Sequence, residues 1–130
     1  MGAAVDWQAE LTERLADLNV DIFNPRRDDW DASWTQRITH PEFRGQVEWE
    51  LDGLDRATAI AMYFAPDSKA PISLLELGLY ARSGRLVVCC GEGFYRRGNV
   101  EVVCARYGVE LVETFEEFSM EVRARALIVN

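Results

Sequence analysis

Ala59-Ile60-Ala61-Met62-Tyr63-Phe64-Ala65 leads, through the loop Pro66 to Pro71, into Ile72-Ser73-Leu74-Leu75-Glu76-Leu77-Gly78-Leu79-Tyr80. The first run is apolar and does not alternate. That is the pattern of a strand covered on both faces, as in a parallel sheet. The second stretch opens a helix. Ser73 is a natural N-cap, and Glu76, three residues on, completes the spacing of a capping box. A strand feeding a helix through a short loop is the repeating unit of α/β proteins. On its own Glu76 has two readings. It caps the helix, or it is an ionised carboxylate at a strand-to-helix junction, able to act as a nucleophile. The helix dipole and free N–H groups of a first turn favour its charge, and its leucine neighbours disfavour it.

The same alternation continues on both sides. Upstream, Val5 to Leu18 reads as an amphipathic helix with Asp6 as N-cap and Trp7, Leu11, Leu15 and Leu18 on the core side. Val20-Asp21-Ile22-Phe23 reads as a short strand ended by Asn24-Pro25. Arg26-Arg27-Asp28-Asp29-Trp30-Asp31-Ala32-Ser33-Trp34 has no clear period. It is either a solvated loop with its tryptophans folded back or a rim at the carboxyl end of the sheet, where open α/β sheets bind ligands. Thr39 and Glu42 have capping-box spacing around His40-Pro41, and Phe43, Val47, Leu51 and Leu54 make the stripe of the next helix. Glu48, Asp52 and Asp55 share another face, while Glu50 lies beside the stripe.

Downstream, Ser83-Gly84 ends the Glu76 helix. Leu86-Val87-Val88-Cys89-Cys90 is a buried strand. Gly91-Glu92-Gly93-Phe94-Tyr95-Arg96-Arg97-Gly98-Asn99 is a glycine-rich loop without the Gly-Lys-Ser/Thr of a phosphate-binding loop. Val100 to Tyr107 is a short helix, Val109 to Val112 a last strand, and Thr114 to Leu127 a last helix, with Thr114 and Glu117 as a capping box. The order α-β-α-β-α-β-α-β-α predicts a parallel sheet between helix layers, joined by right-handed crossovers.

With 130 residues the chain predicts one domain, residues 1–130, with a real core. A net charge of −8 makes a nucleic-acid polymer a poor partner, because phosphate binding rests on lysine and arginine. Lys69 is the lone lysine, so the positive charge is nearly all arginine, which suits a small phosphate or carboxylate. Cys89, Cys90 and Cys104 do not form a disulfide framework, and with a single histidine no zinc site is credible. No segment is long and apolar enough to span a membrane, and no leader is visible. These features predict a cytoplasmic protein in a reducing compartment, without a membrane partner.

Phe23-Asn24-Pro25-Arg26-Arg27, Asp28-Asp29-Trp30, Gln46-Val47-Glu48-Trp49-Glu50-Leu51, Met62-Tyr63-Phe64-Ala65-Pro66, Pro71-Ile72-Ser73-Leu74-Leu75-Glu76-Leu77-Gly78 and Cys90-Gly91-Glu92-Gly93-Phe94 together resemble the nucleoside 2-deoxyribosyltransferase-like family. The resemblance runs from Asp6 to about Phe118. It implies an α/β fold: a three-layer α-β-α sandwich on a parallel, flavodoxin/Rossmann-like sheet. Relatives begin with a strand and a glycine-containing loop, and Met1-Gly2 aligns after them, so the first family strand is expected to be missing.

The resemblance also implies the chemistry. It places a nucleophile that attacks the anomeric carbon of a 2-deoxyribose at Glu76, and the acid that helps the leaving base at Glu50. Asp52 and Asp55 are weaker candidates for that helper. Asp67 is the nearest carboxylate to a sugar-contacting family acid that has no clean match. Asn24, Arg26, Trp30, Asp52, Tyr63, Asp67 and Phe94 form the implied substrate surface, with Trp30, Tyr63 and Phe94 for stacking a base. Arg26, Arg27, Arg96 or Arg97 would hold a 5′-phosphate. Two carboxyl groups are the usual equipment for splitting a glycosidic bond. No metal or organic cofactor is called for. The expected function is cleavage or transfer at the N-glycosidic bond of a nucleoside or nucleoside 5′-monophosphate. The alternative is an inactive nucleotide-binding or scaffold domain of the same fold. The resemblance further implies a homo-oligomer.

Overall fold

The computed structural model describes residues 6–24 and 31–129. In chain order the elements are α1 (Trp7–Arg14), α2 (Pro41–Arg56), β1 (Ile60–Phe64), α3 (Pro71–Tyr80), β2 (Leu86–Cys90), α4 (Arg97–Tyr107), β3 (Glu110–Val112) and α5 (Phe115–Val129). The chain divides into two compact units: Met1–Val20 with Thr58–Asn130, and Asp21–Ala57.

The larger unit holds a parallel sheet of order β1-β2-β3. Ile60 lies opposite Leu86 and Phe64 opposite Cys90, while Val87 faces Glu110 and Cys89 faces Val112. Both crossovers, β1-α3-β2 and β2-α4-β3, step in the same direction. Right-handed connections therefore put α3 and α4 on one face of the sheet. The other face takes α1 and α5: Leu11 and Leu15 pack with Val87, Cys89, Phe118 and Val122. The result is the three-layer, Rossmann-like α/β arrangement expected from the sequence. All five residues of β2 are buried because this strand is central and covered twice, which is why it reads as an unbroken apolar run.

An aromatic cluster closes the α1/α5 side. The Trp7 ring lies 5.7 Å from Tyr63 and 5.9 Å from Phe118, and Phe115 stands edge-on to Tyr63 at 5.7 Å. Around it Arg14 bonds Glu116 at 2.8 Å, and Arg123 pairs with Asp17. These pairs are largely exposed and screened by solvent, so the apolar contact dominates.

Local signals were partly borne out. Asp6 caps α1, its Oδ1 accepting from the Ala9 N–H at 3.0 Å. Thr114 and Glu117 form the expected reciprocal box: the Thr114 N–H donates to Glu117 Oε1 at 3.2 Å, and the Glu117 N–H to Thr114 Oγ1 at 3.1 Å. Other expectations are corrected. α1 ends at Arg14 and the chain turns through Leu15 to Asp17. α4 begins at Arg97, three residues before the expected start. α2 has His40, not Thr39, as its N-cap, without a side-chain cap bond, because Pro41 is already preset for the first helical position.

Among the described residues the sheet has three strands rather than four. Val20–Phe23 is not one of them. Ile22 and Phe23 remain 43% and 41% exposed, and the Phe23 ring packs on Trp49 of α2 at 4.3 Å. Ile22 and Phe23, set beside Asp21 and Asn24, offer too little burial to decide a strand, and Trp49 of α2 in the same unit takes the aromatic one. In this smaller unit Phe43, Val47, Leu51 and Leu54 are half-buried, and Gln46 is the buried residue of α2.

Candidate functional site at the carboxyl end of the sheet

β1 and β2 end side by side and are pinned together. The Gly91 N–H donates to the Phe64 carbonyl at 3.0 Å, extending the ladder by one rung. Gly91 is required here: a β-carbon at this position would run into the Pro66 ring. After β1 the chain turns tightly, with the Ser68 N–H and hydroxyl both donating to the Ala65 carbonyl, at 3.1 and 2.9 Å.

The loop after β2 is folded in on itself. The Phe94 N–H reaches the Gly91 carbonyl at 3.1 Å, and the Arg97 N–H the Phe94 carbonyl at 3.0 Å. Phe94 is only 3% exposed, its ring 5.0 Å from Phe64. Tyr95 turns outward instead and is 47% exposed. Lys69 Nζ lies 4.4 Å from the centre of the Tyr95 ring and the Arg96 guanidinium 5.3 Å from it. Arg97 turns the other way. It donates to the buried Cys90 carbonyl and to Glu113 at 3.1 Å, and lies 3.7 Å from Glu92 and 3.3 Å from Glu101. It is thus a structural tie of this loop. The exposed side chains of these two loops include Asp67, Lys69, Glu92, Tyr95 and Arg96.

Glu76 sits on α3, the helix that leaves this rim, but not where the capping-box reading put it. The N-cap is Ala70, in the left-handed region with φ 45° and ψ 51°, and Pro71 takes the first helical position. Ser73 is inside the helix and makes no cap. Glu76 is half-buried and stands beyond the first turn, which carries no acidic residue. The dipole fades within that first turn, so it contributes little to the charge of Glu76.

The other expected residues are distributed as follows. Asp67 lies exposed in the turn after β1. Tyr63 is committed to the aromatic cluster with Trp7, Phe115 and Phe118, and burial raises its phenol above the ordinary value, with Cys89, Asp67, Glu10 and Cys90 adding in the same direction. Asn24, Glu50 and Asp52 belong to the smaller unit, Glu50 half-buried and the other two exposed. Arg26, Arg27 and Trp30 lie outside the described residues. Sequence reasoning missed Lys69 and Tyr95. The available signal was a lone lysine placed just before a helix, together with two adjacent aromatics in a glycine-rich loop.

The three cysteines are free and buried. Burial pushes the Cys89 and Cys104 thiols up to about 11, and raises Cys90 as well. They are therefore protonated, inert packing groups near neutral pH. Among the described residues no three His, Cys, Asp or Glu side chains converge on a point that could hold a metal ion, and no helix is long and apolar enough to cross a membrane.

A parallel α/β sheet with a charged and aromatic rim at its carboxyl end defines the broad class of Rossmann-like proteins that bind ligands outside the strand ends. Sequence comparison narrows the class. The family model described as nucleoside 2-deoxyribosyltransferase like matches residues 1–94, and the chain belongs to that family. The matched span includes Glu50, Glu76 and the loop as far as Phe94. No curated protein matches the chain significantly.

Proposed function

We propose that the protein acts on the N-glycosidic bond of a deoxynucleoside or its 5′-monophosphate, with Glu76 as the nucleophile. The observation that carries this reading is the family match across residues 1–94, which spans the helix bearing Glu76. The Glu76 carboxylate attacks C1′ of the sugar. The C1′–N bond breaks and its electron pair stays on the base nitrogen, which takes up a proton. On the resemblance, Glu50 supplies that proton. The glycosyl ester is then resolved by water, giving hydrolysis, or by a second base, giving transfer. The half-buried position of Glu76 supports a carboxylate partly withdrawn from water, and Lys69 and Arg96 on the exposed Tyr95 ring offer positive charge and a stacking surface at the rim. The protein works on this reading as a homo-oligomer, in the cytoplasm.

The test is incubation with a panel of 2′-deoxynucleosides and their 5′-monophosphates, with free base measured by chromatography, beside Glu76→Ala. Base release that falls at least ~1,000-fold in the variant is the expected result for loss of a covalent nucleophile. Release that survives in Glu76→Ala refutes the role of that residue. Nucleotide binding with no release from any panel member refutes the reaction and favours the inactive binding domain.

A further inference from the structure

Lys69 and Arg96 come from different loops, one after β1 and one after β2, yet both rest on the same exposed ring. Lys69 Nζ lies 4.4 Å from the centre of Tyr95 and the Arg96 guanidinium 5.3 Å from it, so two positive charges share one small patch. The ring itself is held in place. It stands edge-on to buried Phe94 at 5.1 Å, and Phe94 packs on Phe64 at 5.0 Å, at the end of β1. The bond from the Gly91 N–H to the Phe64 carbonyl keeps the two loops side by side.

Charge sets this pair apart. The chain carries 22 acidic residues against 14 arginines and lysines. Arg14, Arg44, Arg97, Arg123 and Arg125 each pair with a carboxylate. Among the described residues Lys69 and Arg96 pair with none. Asp67 and Glu92 are exposed in the same two loops, but Asp67 forms no ion pair with either cation, and Glu92 lies 3.7 Å from Arg97 instead. Two like charges gathered without a counter-ion repel, and the face of a tyrosine offsets only part of that. An anion bound by both removes the repulsion.

We infer, resting on the function proposed above, that Lys69 and Arg96 hold the 5′-phosphate of the substrate and make a deoxynucleoside monophosphate, rather than a free deoxynucleoside, the molecule selected here. Reach is the first reason. α3 starts at Pro71, two residues after Lys69, and Glu76 stands five residues further on, roughly 7.5 Å along the helix axis. Helical side chains lean towards the N-terminus, so the Glu76 carboxylate leans back towards the rim. A single 2-deoxyribose 5-phosphate can span that gap, with its anomeric carbon at Glu76 and its phosphate at the two cations. Charge is the second. Near neutral pH a phosphate monoester carries close to two negative charges, and its oxygens accept from an ammonium and a guanidinium together. The net −8 of the chain repels such a dianion at long range, so its capture depends on local positive charge. A free nucleoside carries no charge for these two residues to read.

Equilibrium dialysis of the full chain carrying Glu76→Gln, so that no ligand is consumed, tests this. The probes are the common 2′-deoxynucleoside 5′-monophosphates and their parent nucleosides. The best-bound monophosphate is expected to bind at least ~10-fold more tightly than its nucleoside at low salt, and the ratio is expected to shrink at high salt. Adding Lys69→Met and Arg96→Met together is expected to bring the ratio to within about twofold of one, with an unchanged far-ultraviolet dichroism spectrum, whereas Lys69→Arg keeps it. Arg125→Met, which removes a cation paired with Glu121 on α5, is the control and is expected to leave the ratio as it was. Should the double variant misfold, the salt dependence and the two single variants decide. A ratio near one before these changes, a ratio that survives them, or no binding of any probe overturns the proposal. Failure of the glycosidic reaction looks different: the ratio stands, but the wild type releases no base from any probe.

Discussion

Arg97 offers a sharp test of how the site loop is held. It is 13% exposed, whereas the carboxylates of Glu92, Glu101 and Glu113 around it are 87%, 51% and 70% exposed. Ion pairs with such exposed partners are screened and are worth at most about 0.5 kcal/mol each. The bond to the Cys90 carbonyl is different. That carbonyl belongs to a fully buried strand end, and a hydrogen bond from a charged donor contributes roughly 1.5–3 kcal/mol. Arg97→Met removes the donor while keeping much of the stem. It should cost about 3 kcal/mol, most of it from the orphaned carbonyl, and lower the melting temperature by roughly 10 °C. Glu101→Gln and Glu113→Gln should each cost about 0.5 kcal/mol or less. Urea unfolding followed by far-ultraviolet dichroism measures all three, at low and at high salt. The Arg97→Met deficit should persist in salt, because a buried bond is little screened. If high salt erases it, or if the two glutamate variants together match it, the carboxylates hold the loop and the reasoning fails.

Other outcomes follow from single positions. Ala70 holds a left-handed conformation at φ 45°, which costs an alanine about 1 kcal/mol, so Ala70→Gly should raise the urea midpoint despite its looser unfolded chain. Phe118 is fully buried among Trp7, Tyr63 and Phe115, and Phe118→Ala should cost about 4 kcal/mol against less than about 0.5 for exposed Met120→Ala; equal costs would mean that α5 does not seat on the sheet. The thiols give a pH dependence. Burial raises Cys89 and Cys104 from 9.0 to about 11, so below pH 9 both states keep their protons and stability is full. Above 9 the unfolded chain releases protons first, and stability falls as pH rises towards 11. The double variant Cys89→Ala, Cys104→Ala should flatten that alkaline decline, and an unchanged slope would refute the assignment.

How legible each part was depended on how far apart its determinants lie. β2 was readable to the residue, because a strand covered on both faces needs only five consecutive apolar side chains. The Thr114–Glu117 box was readable because its two partners are three residues apart. Ser73 and Glu76 show the same spacing, yet Pro71 starts the helix three residues earlier than a Ser73 cap would and places both inside it. Spacing alone does not reveal which of two start signals wins. Val20–Phe23 failed for another reason: the fate of two apolar residues is decided by what covers them, and Trp49 is remote in sequence. At the rim, Lys69 and Tyr95 meet through two different loops, and whether Phe94 or Tyr95 faces outward is set by the turn between them. The family resemblance was legible because its motifs are spread over the matched span, each short but jointly specific.

The larger unit joins segments far apart in the sequence. Leu11 and Leu15 pack with Phe118 and Val122, and Arg14 reaches Glu116 at 2.8 Å across a sequence separation of 102 residues. During synthesis, at roughly 5–20 residues per second, the apolar side of α1 therefore waits on the order of ten seconds for its partner helix to be made. The order of events at the ribosome follows from this. The β1-α3-β2 segment can assemble while the chain is still growing, but the α1/α5 layer forms only once α5 has been made. A nascent chain carries its sheet open on one side, and its vulnerable interval is set by the speed of translation rather than by the stability of the finished fold.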